Sequence, residues 1–193
     1  MRKAIPPLFT IPVFVISVLA STGTVRAQDS WLKADGDVVR VSPAAFHELP
    51  RRISRKLISL GCTIPQAKEL FGLHNVIRGH FKSPGQIDWA VLCSRNQTSS
   101  ILIFWRASAS SWSEIVRAED KVFLQTIESG GTIGFSRTIA AVNENYILKH
   151  YRNYHGPKPP PLNHQGIENG FVGKGSTIYY YFSRRWHELQ GAD

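Results

Sequence analysis

The sequence predicts a mainly β fold of the α+β class: a single domain with an antiparallel sheet of Trp-containing hairpins and one N-terminal helix. Three observations predict it. From Asn75 onward, short runs rich in branched and aromatic residues alternate with Gly, Pro and Ser turns, as strands and their connections do. Arg51 to Leu60 is the stretch that places apolar residues at helical spacing. The length left after an N-terminal leader suits one domain with a real core.

The leader comes first. Arg2 and Lys3 form a positive head, Leu8 to Ala20 is apolar, and Ser21 to Ala27 is a small, polar tail ending Val25-Arg26-Ala27. This is the three-part layout of a secretory signal peptide, residues 1–27, with cleavage expected between Ala27 and Gln28. An uncleaved anchor is the alternative, but the run falls short of the roughly 20 residues that span a bilayer. No Cys lies near the cut, so no lipid-modified N-terminus is expected. Cleavage leaves 166 of 193 residues, 28–193, as one globular domain. It removes three of 23 basic residues and none of the 14 acidic ones, so the charge falls from +9 to +6. The chain is expected to be exported, periplasmic or secreted, with no stable membrane span.

In the mature chain, Asp35-Gly36-Asp37 reads as a turn, and Val38, Val39 and Val41 as a short edge strand. Leu49-Pro50 introduces the helix, with Pro suited to its first turn. Ile53, Leu57 and Leu60 form its buried stripe, and Gly61 supplies the left-handed cap. Cys62 and Cys93 are the two cysteines of the chain, and an oxidising compartment makes a disulfide between them the simplest expectation. A catalytic thiol would require one of them unpaired beside a base.

The strand candidates follow: Val76-Ile77, Ile87 to Cys93, Ser100 to Trp105, Trp112 to Val116, Gly134 to Ala141 and Tyr146 to Tyr151. Pro157 to Pro161 is a stiff, extended spacer. Ser176 to Phe182 and Trp186 to Leu189 close the chain as a hairpin. Tyr179, Tyr180 and Tyr181 cannot share one face of a strand, so Tyr180 opposes its neighbours. A faint internal repeat pairs Gly85 to Asp88, Ser100 to Phe104 and Trp112 to Ile115 with Gly166 to Glu168, Ser176 to Tyr180 and Trp186 to Leu189.

Two loops carry a resemblance. Arg78 to Val91 (RGHFKSPGQIDWAV) resembles the repeat of the FG-GAP or VCBS families, which runs Gly-Asp-Phe, an acidic loop, then Asp before Leu-Ala-Val. That likeness implies a calcium loop, yet its acidic places hold His80, Lys82, Ser83 and Gln86, leaving Asp88 alone. Asn163 to Asn169 (NHQGIEN) is similar to an Asp-rich calcium loop in which Asn163, Gln165 and Asn169 replace the carboxylates. Calcium prefers six to eight oxygens, many of them charged, so neither a metal nor another cofactor is expected. More loosely, the order of segments resembles small exported bacterial proteins of unassigned function.

Motifs for catalysis are sparse. There is no His-Glu-x-x-His, no Gly-x-Ser-x-Gly and no complete phosphate loop, although Lys174-Gly175-Ser176 matches that loop's tail. Glu119-Asp120 reads as a polar turn. The sequon at Asn96 has meaning only in a eukaryotic secretory pathway. The densest basic patch is Arg51, Arg52, Arg55 and Lys56, with Arg184 and Arg185 near the C-terminus; it is the candidate anion-binding surface, sensitive to salt. No specific nucleic-acid motif accompanies it. The expectation is therefore a non-catalytic exported binding module for a protein or cell-envelope component, with an anionic polymer as a possible partner. The alternative is an extracytoplasmic hydrolase acting on an anionic substrate, which would need three of His80, Asp88, His150, His155 and Glu168 to converge in a pocket.

Overall fold

The Cys62–Cys93 disulfide closes, with Cα atoms 5.2 Å apart, and staples a helix to the centre of a sheet. A computed structural model describes residues 22–127 and 131–190, with side chains from residue 29 onward. The apolar stretch expected as the signal core lies outside the described residues. No described helix is long and apolar enough to cross a membrane.

Helix α1 (Thr22–Gly36) runs through the expected cleavage point and leads to strand β1 (Arg40–Val41). Helix α2 (Arg51–Ser59) starts immediately after Pro50. It ends as its sequence predicts: Gly61 takes φ +72°, its N–H bonds the carbonyl of Ile58, and Cys62 N–H bonds that of Leu57. These two bonds satisfy carbonyls the helix end would leave open. Strand β2 (Ile64–Pro65) pairs with β1.

The expected single sheet is two four-stranded antiparallel sheets. The first consists of β3 (Val76–Gly79), β4 (Asp88–Arg95), β5 (Thr98–Phe104) and β6 (Trp112–Glu119), adjacent in chain order. A small pair, β7 (Leu124–Thr126) and β8 (Ile133–Phe135), follows. The second large sheet is β9 (Arg137–Val142), β10 (Gly166–Phe171), β11 (Gly175–Phe182) and β12 (Arg185–Gln190), again in chain order. The repeat read from sequence corresponds to the meanders β4-β5-β6 and β10-β11-β12. Gly134 to Ala141, expected as one strand, breaks at Ser136 between β8 and β9, because its halves join different sheets.

Tyr146 to Tyr151, expected as a strand, is helical. It belongs to α3 (Glu144–Tyr154), capped by the Asn143 side chain, which accepts from Tyr146 N–H. Tyr146, Ile147, His150 and Tyr151 recur at positions i, i+1, i+4 and i+5, so the helix buries one stripe. Branched and aromatic residues suggested a strand, but the cap and the 3.6-residue period decide otherwise.

The layers follow from the cores. Ile53 and Leu57 of α2 pack on Trp89, Val91, Cys93, Leu102 and Phe104, the outer face of the first sheet. Ala90, Leu92, Ile101 and Ile103 point the other way, against Ile139 and Ile167 of the second sheet. Ile147 of α3 meets Val142, Ile178, Tyr180 and Leu189 on that sheet's outer face. The order is helix, sheet, sheet, helix. Strands β4 and β5 are covered on both faces, which is why they read as continuous apolar runs.

Two buried polar residues stitch the sheets together. Asn75 donates to the carbonyls of Pro65 and Arg137 and accepts from Ile139 N–H. Arg137 is fully buried, and its guanidinium donates to Ser99 O and Oγ (3.1 and 2.8 Å), Val116 O (2.8 Å) and Asn169 Oδ1 (2.8 Å). Val116 takes φ +54°, unusual for a branched residue, and in that conformation its carbonyl meets Arg137. Burial lowers the Arg137 pKa to about 10, partly offset by the buried Asp120 carboxylate; the side chain remains charged at neutral pH.

Replacing Arg137 with Met keeps its length but strands the carbonyls of Ser99 and Val116 and the amide of Asn169. Urea unfolding should report a loss of about 3 kcal/mol or more. Reducing the disulfide should cost on the order of 3–4 kcal/mol in the same assay.

Candidate functional site

Asp88 organises the surface where the two sheets meet. It is fully buried and accepts from Phe81 N–H (3.0 Å), Arg106 N–H (2.8 Å) and Gln86 Nε2 (2.8 Å). A carboxylate with three donors serves as a clamp for two loops. One is the Gly79-to-Asp88 loop. The other is the β5–β6 connection, where Arg106 and Ala107 both adopt positive φ, a left-handed conformation that side chains ordinarily disfavour.

The loops around His80 and Gln165 converge. Gln165 Oε1 accepts from His80 N–H at 2.9 Å, and Gln165 N–H donates to His80 O at 2.8 Å. His80, Asn145, Asn163, His164 and Gln165 line a recess of about 410 Å³ between them. Among the described residues, no three His, Cys, Asp or Glu side chains are grouped to hold a metal ion.

Beside this recess lies an aromatic cluster. Trp105 stacks on Trp186 with centroids 5.8 Å apart, and Tyr181 leans on both at 5.1 and 5.5 Å. All three rings are half-buried. Exposed Lys82 caps the group, its ammonium 5.8 Å from the Trp105 ring and 5.7 Å from Tyr181, within cation–π range. Lys82, His164, Tyr181 and Arg184 share a recess of about 510 Å³. Arg184 sits with Ser183 in the two-residue β11–β12 turn, both at positive φ without the Gly or Asn such turns favour.

At the other end of the β5–β6 connection, Lys56 lies over Trp112 at 6.0 Å. The connection thus carries an aromatic–cation pair at each end, with exposed Arg106 between them. No carboxylate lines the recesses at Arg106 or Arg184. Among the described residues, Lys56, Lys82, Arg106 and Arg184 make no ion pair.

The basic patch read from sequence divides here. Arg51 and Arg55 line a groove of about 610 Å³ with His47, Phe46, Leu49 and Ile58. Arg52 is exposed on α2 outside that groove, and Lys56 turns toward Trp112. Arg185 sits in β12, its Nε 3.2 Å from His187 Nε2. Glu119-Asp120 also divides: Glu119 pairs with Lys121 at the surface, while buried Asp120 accepts from Arg40 Nη2 (2.8 Å) and Ser94 Oγ (2.5 Å).

The five hydrolase candidates, three of which would have to converge, fall in two groups of two with His155 apart. His80 and Asp88 belong to the loop junction. His150 lies on α3, its ring 4.5 Å from Tyr146, whose hydroxyl donates to Glu168 Oε1 at 2.8 Å. His155 is exposed at the end of α3. The alternation among the three tyrosines is as read from sequence, with Tyr180 in the core and Tyr181 in the aromatic cluster. Sequence reading did not single out Lys82, Trp105 and Trp112 as a site. The available signal was two Trp residues bracketing a short Ser-rich loop with one arginine and no acidic residue.

Comparison of the chain with known families, curated proteins and solved structures finds no match.

Burial pushes the His150 pKa below its usual value, reinforced by Lys149 and opposed by Glu168. The unfolded chain therefore binds a proton near pH 6.5 that the native state still refuses. Stability should fall as pH drops through this window. Thermal melts between about pH 7 and pH 5 should show that fall, and His150→Phe should reduce it.

Proposed function

We propose that the protein is a non-catalytic exported module that binds an anionic polymer of the cell envelope. The polymer would follow a strip along the β5–β6 connection from Lys56–Trp112, on the side of the first sheet covered by α2, past Arg106 to Lys82–Trp105–Tyr181 and Arg184 at the sheet junction. The observation that carries this reading is the pairing of a lysine with a tryptophan at each end of one connection, with no carboxylate lining the recesses along it. Sugar rings pack on aromatic side chains, while carboxylate or phosphate groups are drawn to unpaired cations. The signal-like N-terminus and the disulfide support export.

The positive φ values of Arg106 and Arg184 support the same reading. Left-handed residues cost roughly 1–2 kcal/mol each, and strain of this kind concentrates where side chains are aimed for use. Both residues line the strip's recesses, and Arg106 Nε donates to Gln86 Oε1 at 3.2 Å.

Retention on immobilised polygalacturonate, with neutral dextran as reference, tests the proposal. The protein should bind the acidic polymer and elute with rising salt. Combined K56A, K82A and R106A should elute much earlier, whereas R51A, R52A and R55A together should change little. Equal retention on dextran, or loss confined to the second set, would overturn it.

A further inference from the structure

We infer that residues 70–73 form an apolar knuckle that docks the protein on an anionic lipid surface. Phe71 is 103% exposed, Leu73 53% and Leu70 44%. Three neighbouring large apolar side chains standing in water are a liability unless something covers them.

The base of this loop is built rather than loose. Gln66 Oε1 accepts from His74 N–H at 3.0 Å, and Gln66 Nε2 donates back to His74 O at 3.1 Å. His74 Nε2 accepts from Ala67 N–H at 2.6 Å, which places the ring proton on Nδ1, 3.1 Å from Gly72 O. Gly72, at φ +75°, turns the tip. Below it, Asn75 is locked between the sheets. The hydrogen bonds hold the ends together and display the tip.

The charge of the loop selects the surface. Between residues 66 and 75 there is one acidic side chain, Glu69, and it points inward to accept from Ser136 Oγ and Gln125 Nε2. Lys68 points outward, makes no ion pair among the described residues, and lays its stem against Gly134. The outer surface is therefore apolar at the tip and cationic at the shoulder. A lysine beside inserted Leu and Phe suits an anionic headgroup layer, with the ammonium at phosphate depth. Exposed Val39, Leu70 and Leu73 line the adjoining groove of about 410 Å³, where Lys68 and Asp37 place one charge of each sign. The net positive charge, +9 for the full chain and +6 without residues 1–27, acts in the same sense.

This surface and the polymer strip use different residues, so each stands or falls alone. Full-length protein, F71S and K68E are mixed with vesicles of phosphatidylethanolamine and phosphatidylglycerol, or of phosphatidylcholine alone. Partition is measured by flotation, and protected amides are mapped by hydrogen–deuterium exchange. The expected result is protection over residues 70–73 on anionic vesicles and about a tenfold weaker partition for F71S. K68E should lose affinity for anionic vesicles only. Because both side chains are exposed, the variants should melt with the parent. Unchanged partition of F71S, with protection confined to other segments such as residues 8–20, would overturn the inference. So would protection of 70–73 that rises with protein concentration without vesicles, since that result assigns the knuckle to a second copy of the chain.

Discussion

Everything in this molecule depends on how two sheets are held face to face, and the buried guanidinium of Arg137 is the group that holds them. It reaches from the first residue of β9 to the backbone of β5 and β6 and to Asn169 of β10. An isolated cation there would be strongly disfavoured. Four acceptor atoms on Ser99, Val116 and Asn169, the Phe123 ring 4.4 Å away and the nearby Asp120 carboxylate satisfy it. Asn75 does the same for a second crossing point. Apolar contact between sheets is non-directional, so polar stitches of this kind select one register among many that hydrophobic packing alone would tolerate.

Once the sheets face one another, their outer faces must be covered, and helices α2 and α3 are assigned by that need. Helix α2 covers the first sheet and α3 the second. The disulfide joins the end of α2 to β4, so the first helix–sheet pair is bound covalently while the second relies on Ile147 and its tyrosines. Each sheet with its helix forms a comparable half, in keeping with the repeat in the sequence.

The surface loops are consequences of the same arrangement. Asp88 begins β4, and at the sheet junction it can reach both neighbouring connections. Its three accepted hydrogen bonds shape the 79–88 loop and set Arg106 in a left-handed conformation. That conformation places Trp105 against Tyr181 and Trp186, and Lys82 closes over them. A position that resembles a calcium ligand in sequence works here as an internal hydrogen-bond acceptor.

Much of this was legible in the chain itself. Turn chemistry and strand composition marked the two Trp hairpins, Gly61 marked the end of α2, and two cysteines behind a leader-like N-terminus indicated their own pairing. These are local signals, carried by residues close together along the chain. Helix α3 was misread because branched and aromatic residues outweighed the Asn143 cap and a two-turn stripe. The division of one sheet into two, the break at Ser136 and the meeting of Lys82 with Trp105 and Tyr181 were not legible, because they bring together groups tens of residues apart. By itself the sequence determined the β-rich class, the hairpins and the disulfide, all of which follow from propensity, spacing and redox chemistry. Only the tertiary structure decided which faces meet, and therefore which cations stand unpaired beside which aromatic rings. Long-range packing, rather than any local pattern, sets those distances.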